Sequence, residues 1–154
     1  YNNGTVNIGS WGTGSFKMAS NVAAVRQNLS LIVDNGSPVP GLASGSYAKW
    51  GTTVGNAVLV WRSGLGITAN GALVYAAGDA LSASSLANVL SRAGAVRAME
   101  LDINSDWTNY FSFDPAPGQP AQPSNGTRLV KDMVQGPSRY FSSEPRDFIA
   151  MMAR

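Results

Sequence analysis

At 154 residues, with 44% hydrophobic and only 13% charged side chains, the chain is long enough to bury its own core and too apolar to be disordered, so a single globular domain over 1–154 is expected. Its formal charge of +2 arises from 11 Lys+Arg against 9 Asp+Glu spread thinly along the chain, with no basic run to neutralise consecutive phosphates, which argues against nucleic acid as a partner. Cys and His are both absent, which removes disulfides, zinc-thiolate sites, thiol nucleophiles and every Ser-His-Asp arrangement, and leaves chemistry to carboxylates, Arg, Lys, Tyr and hydroxyls.

No metal or cofactor is expected from this composition. The longest apolar stretches, such as Ala57 to Trp61, fall far short of the roughly 20 residues that cross a bilayer, so no membrane span is expected. The 17 Gly and 8 Pro lie in short clusters, the distribution of turns between many short strands. Few lysines (Lys17, Lys49, Lys131) amid abundant Asn, Ser, Thr and Gly have the flavour of an exported protein.

In chain order, Thr5 to Gly9 alternates as a half-buried strand should, and Asn21 to Gln27 is ambiguous between a helical turn and extended chain. Leu29 to Val33 predicts a strand closed by Asp34-Asn35-Gly36, residues suited to the positive φ of a tight hairpin. Ser37 to Thr53, with Pro38, Pro40, Tyr47 and Trp50, predicts an irregular loop that lines a site. Asn56 to Arg62 and Leu65 to Thr68 are two apolar runs hinged at Ser63-Gly64, followed by a turn at Ala69-Asn70-Gly71 and a strand over Ala72 to Ala77.

Next, the serines at 82, 84 and 85 offer N-cap hydroxyls to an amphipathic helix at about 82–93, in which Leu86, Val89, Leu90 and Ala93 recur at helical spacing before Gly94. Strands follow at Val96 to Asp102 and Trp107 to Phe113, then a loop between Pro115 and Pro123. The apolar tail Asp147 to Met152 is expected to return into the sheet. The fold class is therefore α+β, a strand-rich mixed sheet with one main helix.

Asp102, ending an apolar strand, is placed where loops present side chains to a ligand, and strand alternation puts Glu100 on the same face. Such a pair can divide acid and base roles. The alternative is that Glu100 forms a structural ion pair with an Arg while Asp102 caps a turn. Arg62, at the end of an apolar run, has a guanidinium fork fit for a phosphate or carboxylate, or for one of these acids. Arg26 with Asn28 offers a second polar cluster, Asn104 and Ser105 extend the Asp102 loop, and Trp50 is the tryptophan placed to stack on a sugar.

The order Trp61-Arg62-Ser63-Gly64-Leu65-Gly66-Ile67-Thr68, then Asn70-Gly71-Ala72-Leu73-Val74, then the helix from Leu86 to Gly94, then Ala98-Met99-Glu100-Leu101-Asp102 resembles the phosphodiester glycosidase family. Asn21 to Leu29 and Arg146 to Met151 look like a bacterial, actinobacterial branch of it. The resemblance implies the C-terminal part of a larger domain, completed by an N-terminal segment or companion fragment, in the bacterial cell envelope or secreted. It implies a glycan-directed hydrolase of a sugar phosphodiester or glycosidic bond, with Arg62 on the phosphate and Asp102 on the catalytic face, or an inactive glycan-binding or structural protein of the same fold. Where the family pattern has Asn-Leu-Asp-Gly-Gly, this chain has Glu100-Leu101-Asp102-Ile103-Asn104, so the site must differ in shape.

Overall fold

The computed structural model describes residues 1–43 and 49–152, and Tyr47 of the expected loop lies outside them. The chain divides into two compact units, Tyr1–Thr108 and Asn109–Arg154.

The first unit is built on a five-stranded sheet with strand order β2-β1-β5-β3-β4, formed by β1 (Leu31–Asp34), β2 (Ser37–Pro38), β3 (Val60–Thr68), β4 (Leu73–Leu81) and β5 (Ala95–Glu100). Helix α1 (Ala83–Arg92) connects β4 to β5. The strand-rich α+β class holds, and the pairings are antiparallel throughout rather than mixed. β3 lies between β4 and β5 and opposes both, so those two run parallel without touching and need the helix as a crossover.

Local chemistry explains the boundaries. Asn35 and Gly36 take φ of 48° and 76°, and Asp34 pairs with Ser37 across them, the two-residue hairpin that the sequence predicts. Gly71 at φ 87° turns β3 into β4. Ser82 caps α1: its hydroxyl accepts the Ser85 N–H at 3.0 Å while Ser85 Oγ accepts the Ser82 N–H at 2.8 Å. Gly94, at φ 90°, follows the helix end.

The helix buries Ala83, Leu86, Ala87 and Leu90 against Ile32, Val33 and Ala98 of the sheet. Each fully buried leucine contributes about 1.5–3 kcal/mol. On a second cluster, Ile8 packs with Leu65 and Ile67 of β3.

Four expectations fail. Thr5 to Gly9 is not a strand: the side chain of Asn7 accepts the Ile8 N–H at 2.9 Å and the Arg97 guanidinium at 2.6 Å, a local alternative to ladder pairing, although Ile8 is still buried. Ser63-Gly64 is no hinge, because β3 runs unbroken through it. Glycine is required there for close packing: a Cβ on Gly64 would lie 2.8 Å from Leu90 Cδ1, and one on Gly66 2.6 Å from Ala95 Cβ. The Trp107 strand begins only at Phe111, since the Trp107 and Thr108 amides turn back to the Asn104 carbonyl at 3.2 and 2.9 Å. Asp147 to Met152 forms no strand, and Phe148, Ile149, Met151 and Met152 are exposed.

The second unit pairs β6 (Phe111–Phe113) with β7 (Gly126–Arg128). Phe111 meets Tyr140 at 5.9 Å between ring centroids, Phe113 meets Phe141 at 5.4 Å, and Tyr140 stacks on Phe148 at 4.5 Å, so aromatic contacts supply its packing. Arg139 and Glu144 pair at 2.9 Å.

Candidate functional site

Arg62 projects from β3 towards the helix-covered side and is only 4% exposed. Its Nε donates to the Leu81 carbonyl at 2.9 Å, Nη1 to the Trp50 carbonyl at 3.4 Å, Nη2 to the Val58 carbonyl at 3.4 Å, and Nη1 also to Glu100 Oε1. One guanidinium thus ties together the end of β4, the end of β5 and both ends of the segment 50–58. This is the structural ion pair among the two readings of the sequence, and a planar fork with a fixed charge suits it better than a lysine would.

Glu100 is completely buried. Its Oε2 has no hydrogen-bond partner among the described residues. Burial pushes its carboxyl above the usual value of 4.5, while the charge and hydrogen bond of Arg62 pull the other way.

Asp102 is half-buried, just beyond β5. Its backbone is held by Ser63: the Ser63 N–H donates to the Asp102 carbonyl at 2.8 Å, the Leu101 N–H donates to the Ser63 carbonyl at 2.8 Å, and the Asp102 N–H donates to Ser63 Oγ at 3.2 Å. Leu101 and Asp102 both face Ser63, two residues against one, the arrangement of a β-bulge. Simple alternation therefore stops being a guide to faces between Glu100 and Asp102.

The turn that follows is ordered by Asn104, whose Oδ1 accepts the Asp106 N–H at 2.7 Å. Asn104 is exposed and Ser105 half-buried. Ile103 reaches Gly51: a Cβ on that glycine would lie 2.5 Å from Ile103 Cδ1 and 3.1 Å from Leu29 Cδ1. Gly51, at φ 83°, is thus where the segments carrying Asn28 and Asn104 meet.

Trp50 corrects its expectation. It is 4% exposed and belongs to the core cluster with Ile32, Val33 and Leu86, so its ring presents no sugar-stacking face. Its large apolar area wins over its place in a loop. Arg26 and Asn28 are exposed in irregular chain, and Asn28 Oδ1 accepts the Leu29 N–H at 2.9 Å. Of the predicted residues, the structure gathers Arg62, Glu100 and the Trp50 backbone around one guanidinium, with Asp102 adjoining through Ser63 and Asn104 in the turn that follows. Ser63 and Gly51 join the cluster without a motif to mark them; the one signal for Ser63 is a hydroxyl interrupting an apolar strand.

The fold and this cluster define a strand-rich α+β protein with a buried ion pair beside a half-buried carboxylate. No family model matches the chain, and no curated protein matches it. Among the described residues there is no group of three or more His, Cys, Asp or Glu able to hold a metal, and no helix is long and apolar enough to cross a membrane.

Proposed function

We propose that the chain is a glycan-directed protein of the bacterial cell envelope, meeting a carbohydrate or sugar phosphate through Asp102 and the Asn104-Ser105 turn, and binding it without turnover. The sugar part of this reading comes from the family resemblance. The observation that carries the absence of turnover is the mutual burial of Arg62 and Glu100: glycoside cleavage needs two carboxyl groups flanking the bond, and Glu100 is 0% exposed. Asp102 is then the acidic group of the cluster that reaches the surface.

The hydrolytic reading keeps one supporting observation: burial pushes the Glu100 carboxyl above its usual value, the direction that suits a proton donor. It needs the segment 50–58 to move off Arg62 before substrate can arrive.

Calorimetric titration with a panel of sugar 1-phosphodiesters, followed by product assay over long incubation, separates the two. Saturable binding that Asp102→Ala removes, with no free sugar formed, is the expected result. Sugar release that Asp102→Asn stops would establish hydrolysis instead, and neither binding nor release would defeat both readings.

A further inference from the structure

We propose that Ser63 is the positioning residue for Asp102, a role that rests on the reading of Asp102 as the ligand-meeting group. Ser63 is fully buried in β3. Regular pairing between β3 and β5 runs to Gly64 opposite Glu100, and beyond it Leu101 and Asp102 share Ser63 as their partner. In such a bulge the extra residue is left out of the ladder and its amide loses the regular acceptor. Here that amide belongs to Asp102, and Ser63 Oγ takes it at 3.2 Å.

Position 63 therefore calls for a side-chain oxygen. Alanine or glycine would leave an amide at a half-buried site without its acceptor, which is the costly way to lose a hydrogen bond. A bulge also re-aims the residues that follow it, here Asp102, Ile103 and Asn104. The Ser63 hydroxyl is too deeply buried to touch a ligand, yet it sets how the Asp102 backbone leaves the sheet, and so how the carboxylate is presented.

The test uses isotope-labelled full chain as wild type, Ser63→Ala and Ser63→Thr. Three quantities are read: the exchange rate of the Asp102 amide, the titration midpoint of its side-chain carboxyl carbon, and the Kd for α-glucose 1-phosphate. In Ser63→Ala the amide should exchange roughly tenfold faster, the midpoint should move and affinity should fall by about tenfold, with Ser63→Thr restoring all three. Ser63→Cys, nearly isosteric but a weak acceptor, carries the comparison if the alanine variant does not fold.

A lowered melting temperature with wild-type exchange and midpoint at Asp102 would make Ser63 a packing residue and overturn the proposal. Failure of the wild type to bind glucose 1-phosphate, with exchange and midpoint responding as expected, would instead sink the glycan reading and leave the positioning role intact.

Discussion

Arg62 and Glu100 stand 38 positions apart in the chain and meet in the interior as an ion pair, the arginine 4% exposed and the glutamate not at all. The pair sits where β3 and β5 stop pairing regularly, and the guanidinium also holds three backbone carbonyls. Its chemistry is directed inwards, which shapes what can be expected of variants.

Removing one partner leaves the other charged and buried. Arg62→Met should destabilise the first unit by about 3–5 kcal/mol, whereas Arg62→Met combined with Glu100→Leu should recover a large part of that loss, since apolar replacement of both partners removes the desolvation penalty. Urea unfolding followed by tryptophan fluorescence measures both, and a double variant no better than the single one would show that the pair is not the cause.

Burial raises the Glu100 carboxyl above 4.5, so the folded chain holds that proton more tightly than the unfolded chain does. The resulting stabilisation is complete below the unfolded value and is lost as pH rises through the raised one. Relative to Glu100→Gln, which does not titrate, wild-type stability should fall as pH climbs through that window. A difference that grew with pH would reverse the sign and place the carboxyl below its usual range.

Gly66 pairs with Ala98 of β5, and an added methyl there would sit 2.6 Å from the Cβ of Ala95, an atom with no rotamer to move. Gly66→Ala should cost about 1–3 kcal/mol through overpacking. Pairing it with Ala95→Gly should restore most of the loss, read as recovery of the melting temperature.

Ser82→Ala removes the cap of α1 and should cost about 1 kcal/mol, while Ser82→Asp keeps an acceptor for the Ser85 amide and should cost much less. Equal losses in both variants would mean that the capping bond contributes little.

The sugar hypothesis stands or falls on ligand binding by the wild type and its loss in Asp102→Ala, because Asp102 is the acid of the cluster outside the buried pair.

Much of the fold was legible in the sequence because its causes are local. Asn35-Gly36 and Gly71 demanded positive φ, the serines before Leu86 offered a cap, and Gly94 allowed a stop; each acts within a few residues and is unaffected by what packs nearby. What only the tertiary structure decided depends on contacts between distant segments. Trp50 went to the core because it joins the apolar cluster of Ile32, Val33 and Leu86, Ser63-Gly64 became continuous strand with Leu86 and Leu90 of α1 closing on the space beside Gly64, and Glu100 lost its place as an accessible acid because Arg62 arrived from another strand. Periodicity reports which face a residue takes on its own element, and it carries no information about what the fold sets opposite that face.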